Sequence, residues 1–272
     1  MKPAISQVCS LESPVDQDIE DYAASGCRAI EGWFTKLETS IAARGEDRLR
    51  RLLDTHEVTI PVASFQGGLL TSQGERRAEA WKLFASRLEL CDRLSIDTIV
   101  VACDAVGPLG RRDLERAQRS LEQVALECSR RGLRAALEFQ VSAAFGNNLQ
   151  TAAAMVAETG SPHLGICLDA FHFFVGPSKT EDLAYLTKEN LFHVQVADVL
   201  GAPRELAGDS DRILPGDGDW EFEPLLDRLR QIEYDGLISL ELMNPQIWRI
   251  PALQLGEVGV AALDKLLGRT ET

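Results

Sequence analysis

Short apolar runs and amphipathic stretches alternate along the whole chain. The runs read as strands near Ala4–Cys9, Arg28–Gly32, Val58–Phe65, Thr98–Cys103, Arg134–Glu138, Leu164–Asp169, Leu191–Ala197 and Leu237–Leu242. Near-continuous apolar runs suit parallel strands buried on both faces, whereas a half-exposed sheet alternates apolar with polar. Between them lie helix-like stretches: Pro14–Ala24, Glu46–Thr55, Gly74–Leu94, Asp113–Arg131, Leu149–Glu158, Thr180–Tyr185, Phe222–Ile232 and Leu253–Leu267. In Asp113–Arg131, for example, Leu114, Ala117, Leu121 and Val124 recur at helical spacing. Eight strand–helix units, with no linker or low-complexity segment, predict an α/β fold: a (β/α)8 barrel, one domain over residues 1–272. A doubly wound open sheet would alternate in the same way, but no Gly-rich phosphate-binding turn follows the first strand.

Composition narrows the function classes. A length of 272 residues suits one barrel of ~250 residues better than two domains. The net charge of −14 argues against a nucleic-acid surface, which needs clustered Lys and Arg, and against an anionic membrane as partner. No apolar span reaches ~20 residues, and the start, Met1-Lys-Pro-Ala-Ile-Ser-Gln-Val, has no apolar leader. A cytoplasmic protein without membrane helices is therefore expected. Cys9, Cys27, Cys91, Cys103, Cys128 and Cys167 form no CxxC pair and read as buried free thiols.

Four of the apolar runs end on, or next to, an oxygen side chain able to hold a metal: Glu138, Asp169, Gln195 and Glu241. A carboxylate at a buried strand end is costly unless a cation or hydrogen bonds compensate it. Singly, each acid reads equally well as a helix cap or ion-pair partner, and Gln195 as a hydrogen-bonding barrel residue. Together they occupy strands five to eight, at the end where barrels of this type carry their active sites. Adjacent strands lie ~4.8 Å apart, so the four predict one shared metal site. Its all-oxygen donors favour Mn²⁺ or Mg²⁺, with Co²⁺ and Zn²⁺ as alternatives. His193 alternates with Gln195 and faces the same side, as a reserve ligand or substrate contact. His172, three residues past Asp169, falls on the loop above strand six, where an acid/base or hydroxyl-binding role is expected. Arg212, in the long Asp209–Asp219 loop, offers a planar donor for substrate oxygens. Trp33, Phe65, Phe173 and Trp248 are candidates for either pocket wall or core.

The stretches Ala136-Leu-Glu138-Phe, Gly165-Ile-Cys-Leu-Asp169-Ala-Phe-His172, Phe192-His-Val-Gln195-Val-Ala-Asp198, Asp211-Arg212-Ile-Leu-Pro-Gly-Asp-Gly and Ile238-Ser-Leu-Glu241-Leu-Met-Asn-Pro resemble the xylose isomerase-like barrel superfamily, in its sugar phosphate isomerase/epimerase branch. The resemblance covers nearly the whole chain and is strongest from Glu138 onward. It implies metal ligation by Glu138, Asp169 and Glu241, and places Gln195 where the family usually has a His. The Arg-x-x-Pro-Gly loop and the Glu-Leu-x-x-Pro segment are similar to those of inosose isomerases. Dehydroshikimate dehydratases and 3-keto-glycoside eliminases look similar too, and there a Gln can be the ligand. Gln140 stands where some dehydratases place a second His, and is expected to contact substrate. DNA-repair endonucleases of the superfamily need a His-rich zinc cluster and a cationic surface, which four histidines and this charge do not supply.

The chemistry expected is that of a divalent ion chelating a carbonyl and its neighbouring hydroxyl, which acidifies the α-C–H and stabilises an enediolate. Glu138 and Glu241 would remove and return the proton, giving a metal-dependent isomerase or epimerase of a sugar-like or inositol-like polyhydroxy ketone. If a β-oxygen leaves instead, with His172 as general acid, the enzyme is a lyase. The third reading is a non-catalytic ligand-binding barrel. A small carbohydrate-like substrate is the expected partner, and a homo-oligomer is allowed.

Overall fold

The runs Thr98–Cys103 and Leu164–Asp169 are buried at every position, as strands covered on both faces must be. In the computed structural model, which describes residues 1–269, they belong to a closed barrel of eight parallel strands in chain order. The strands are β1 (Lys2–Ser6), β2 (Ala29–Trp33), β3 (Thr59–Gln66), β4 (Thr98–Cys103), β5 (Arg134–Phe139), β6 (Leu164–Asp169), β7 (Leu191–Val196) and β8 (Leu237–Leu240). Pairing of β8 with β1, Lys2 against Leu237, closes the ring and leaves no sheet edge. The expected (β/α)8 barrel is therefore the observed fold. The last three residues of the expected domain lie outside the described residues.

Around the barrel run α1 (Val15–Ala24), α2 (Phe34–Arg44), α3 (Glu46–His56), α4 (Gly74–Leu94), α5 (Arg111–Ser129), α6 (Leu149–Thr159), α7 (Ala170–Val175), α8 (Glu223–Gln231) and α9 (Ala252–Leu266). The main apolar core lies between strands and helices; Ile99, Leu121, Leu137 and Leu240 belong to it. A second, small cluster of Ala4, Val62, Val100, Ala136, Cys167 and Leu237 fills the barrel interior. Side chains alternate in and out along each strand, so residues two positions beyond this inner plug also point inward, nearer the C-terminal mouth. That rule carries Ala136 to Glu138 and Cys167 to Asp169. On β7 the paired positions are His193 and Gln195, in register with Cys167 and Asp169.

Most element ends lie within one or two residues of the sequence expectation, and a few differences shape the barrel and its site. β1 ends at Ser6, because Gln7–Ser10 turns into a 3-10 helix. β8 ends at Leu240, so Glu241 is the first residue beyond it. The second unit carries two helices, α2 and α3, broken at Gly45 with φ of 81°. α2 buries only Phe34 and Leu37, too sparse an apolar face to show in periodicity. Finally, Ala170–Val175 is helical where a loop was expected; Asp169 Oδ1 accepts the Phe171 amide at 2.8 Å and caps it. Thr180–Tyr185 is a 3-10 helix. All six cysteines are free and buried, and no helix among the described residues is long and apolar enough to cross a membrane.

Candidate active site at the barrel mouth

The ends of β5 and β6 bring three ligand-capable groups together. Glu138, Asp169 and His172 are all buried, and one ligand atom from each lies within 4.8 Å of the others. His172 reaches the cluster because the cap on α7 turns the chain immediately after Asp169, leaving its Nε2 3.7 Å from Asp169 Oδ2. Gln140 Nε2 donates to Glu138 Oε2 at 3.1 Å.

Arg212 reaches into the same region from the β7–α8 loop. Its guanidinium donates to Asp169 Oδ2 at 2.8 Å and Glu241 Oε2 at 3.0 Å, and its Nε donates to Asp209 Oδ1 at 3.0 Å. It stacks 4.2 Å over the Phe171 ring and is 1 % exposed. A planar fork that meets three carboxylates at once is a geometry peculiar to Arg. The loop is held by Asp198, whose carboxylate accepts from the amides of Val199, Gly216, Gly218 and Trp220 at 2.8–3.3 Å.

Gln195 sits one level down. Its Nε2 donates to Glu31 Oε1 at 2.8 Å and Glu241 Oε1 at 2.9 Å, while its Oε1 accepts from the Cys167 thiol at 3.0 Å. Below it, His193 Nε2 is 3.0 Å from Glu31 Oε2, and Ser64 donates to Glu31 Oε1. The expected donors are thus divided. Glu138 and Asp169 meet with His172, Glu241 is joined to Asp169 through Arg212, and Gln195 turns its nitrogen to the acids. His193 is fully buried against Glu31 beneath the mouth.

Glu31 was missed by sequence reading. Its signal was present, a carboxylate in the apolar run Ala29-Ile-Glu31-Gly-Trp33, but lay outside the half of the chain where the other strand-end oxygens cluster. Asp209 was read only as part of a loop. Of the four flagged aromatics, Trp33 and Phe65 wall the site and stack at 6.1 Å with 20° between their planes. Phe173 belongs to the core, and Trp248 does not line the cavity.

These groups surround a cavity of about 310 Å³, at the small end for ligand pockets. Crowding of buried acids sets its electrostatics. Burial, reinforced by Asp169 and opposed by Arg212, pushes Glu138 up to about 8. Burial also holds Glu241 well above the usual carboxylate range, with Asp169, Glu31 and Glu138 adding to the effect against Arg212. Burial lowers the proton affinity of His172, against the pull of Asp169. For Glu31 burial alone would raise the value, but His193 and nearby hydroxyls outweigh it and hold the carboxyl below the ordinary range. Glu138, Gln140, His172, Arg212 and Glu241 all line the cavity; His193 and Gln195 lie beneath it.

Residues 19–265 match the family model described as xylose isomerase-like TIM barrel. The chain belongs to the xylose isomerase-like TIM-barrel family. Within the family it is 30% identical to an inosose isomerase of Halalkalibacterium halodurans over 265 residues, covering 93% of this chain and 91% of that one. It is 28% identical to a 3-dehydroshikimate dehydratase of Pseudomonas aeruginosa over 252 residues, 90% of this chain but only 38% of that longer protein. Among solved structures, the IolI protein with a bound zinc atom superposes with a TM-score of 0.92 at 20% identity, each chain covered in full. Family relatives thus include both isomerases and dehydratases.

Proposed function

We propose that the protein is a divalent-metal-dependent isomerase or epimerase of a sugar-like or inositol-like polyhydroxy ketone. The observation that carries this reading is the pair of buried carboxyls, Glu138 and Glu241, both with raised proton affinity and both lining one small cavity. The likeness to an inosose isomerase over nearly its whole length supports it.

The donor set fits a divalent cation. Glu138, Asp169 and Glu241 crowd three buried carboxyls into the mouth against one guanidinium, which raises the proton affinity of Glu138 and Glu241, and a cation would take the place of those protons. Glu138, Asp169 and Glu241 would hold the ion, with Gln195 as fourth donor once its amide turns its oxygen from the Cys167 thiol toward the acids. These oxygens favour Mn²⁺ or Mg²⁺, while recruitment of the His172 nitrogen would draw the site toward Co²⁺ or Zn²⁺. When bound, the ion polarises the substrate carbonyl and its neighbouring hydroxyl and so acidifies the adjoining C–H. Of the two carboxyls, one takes the proton from that carbon and the other returns one to the neighbouring carbon or opposite face. Arg212 and Gln140 hold these acids in place and donate to substrate oxygens.

A lyase is the second reading, favoured by Gln195 in the position the family usually fills with His and by the dehydratase likeness. It asks His172 to protonate a departing β-oxygen. Burial keeps that imidazole neutral at neutral pH, which weakens it as an acid and puts the isomerase first.

Incubation with an inosose and candidate ketoses in D₂O tests the proposal. Deuterium entering an α-carbon without loss of water or of an aglycone is the expected result. Loss of either gives the lyase. Metal binding with neither signal from any ketone points to a non-catalytic barrel.

A further inference from the structure

The charges that face the cavity are one-sided. Glu138, Glu241 and Asp209 line it, and Asp169 stands directly behind Arg212. Arg212 is the only Lys or Arg lining it among the described residues, and all of its ion-pairing capacity is committed to Asp169, Glu241 and Asp209. Lys36 faces a neighbouring groove. It is tied to Asp18 Oδ2 at 2.6 Å and to the Gln7 and Ser10 carbonyls. Four carboxyl groups thus surround a single guanidinium, which is already tied to three of them. No uncommitted Lys or Arg lines the cavity among the described residues to neutralise an anionic substituent, whose approach would be opposed by the surrounding carboxyls in a desolvated mouth.

The uncharged lining has a complementary character. Trp33 and Phe65 present a stacked aromatic wall, and Gln140, Ser142 and Ser64 supply neutral hydrogen-bonding groups. An aromatic face packs against the C–H side of a ring or chain, while amides and hydroxyls pair with its hydroxyl groups.

We infer that the site selects an uncharged polyhydroxy ketone, seated against the Trp33–Phe65 wall, and discriminates against phosphorylated and carboxylated analogues. The inference rests on the preceding reading that this cavity is the catalytic site, and it separates inosose-like ketones from anionic 3-dehydroshikimate as substrates of this chain.

Calorimetric titration of the Mn²⁺-loaded protein with inosose, D-fructose, D-fructose 6-phosphate and 3-dehydroshikimate tests it. The neutral ketones should bind about tenfold or more tightly than the two anions. Asp209→Asn removes one carboxylate from Arg212 at the half-exposed rim and should narrow that gap several-fold. Equal or tighter binding of either anion, no binding of either neutral ketone, or a gap unmoved by the variant each overturns it. Binding selectivity is read separately from turnover. Preference for neutral ketones without α-deuteration sinks the isomerase reading but leaves the charge selection standing. Deuteration of an anionic ketone does the opposite.

Discussion

His193 Nε2 and Glu31 Oε2 meet at 3.0 Å, and neither side chain has exposed surface. The pair sits under Gln195 and Glu241 and anchors the polar layer on which the mouth is built. Breaking a buried pair strands the remaining charge. His193→Leu should therefore cost about 3–5 kcal/mol in urea unfolding, and adding Glu31→Gln should recover part of it. Because the Glu31 carboxyl is held below its ordinary value, its stabilisation is present above the unfolded pKa and lost as pH falls through the lowered one. A loss under about 1 kcal/mol would place the pair among the inconsequential ones.

Metal loading should be proton-linked. In the metal-free protein the Glu138 carboxyl titrates at about 8, so it is protonated at neutral pH. Its folded value is raised, so its contribution to stability is full below the ordinary carboxylate value and lost as pH rises through 8. An incoming cation must displace that proton, so Mn²⁺ affinity should climb over the same interval. Titrations at about pH 6 and about pH 8.5, each in two buffers of different ionisation enthalpy, measure both effects. Unchanged affinity with no buffer-dependent heat contradicts the prediction.

How much of this was legible in the chain follows from what each element buries. β4 and β6 are buried throughout and almost wholly apolar, so their positions followed from composition alone, and Asp169 at the end of β6 was conspicuous against that background. α2 was invisible because it buries two residues, and α7 because one side-chain cap, not periodicity, starts it. Residue identity placed Gln195 at the mouth. Which way its amide turns depends on Glu31, brought from β2 by closure of the barrel, and no local pattern encodes a contact 164 residues away.

Asp198 should govern the Arg212 loop at a distance. Its carboxylate gathers four backbone amides, and Gly218 approaches it so closely that a Cβ there would collide with the carboxyl. Asp198→Ala should cost about 3 kcal/mol or more, since each bond to a charged acceptor is worth ~1.5–3 kcal/mol. It should also open the 200–219 segment to limited proteolysis and raise KM more than it lowers kcat. Wild-type protease resistance in the variant would show that the Asp198–Ile213 backbone bridge suffices to hold the loop.

Gln195 and His172 compete for the role of fourth metal donor, and their variants should separate. Gln195 lies against Glu241 and Glu31, His172 against Asp169. With Gln195 as donor, Gln195→Leu should weaken Mn²⁺ binding by ~10–100-fold, whereas His172→Asn should retain stoichiometric metal. Gln195→His, restoring the residue usual in the family, should shift preference from Mn²⁺ toward Zn²⁺ because imidazole is the softer donor. Metal content by elemental analysis and Mn²⁺ titration by electron paramagnetic resonance read these outcomes independently of catalysis. If His172→Asn empties the site while Gln195→Leu leaves it full, the fourth donor is His172, and Gln195 serves to position Glu241.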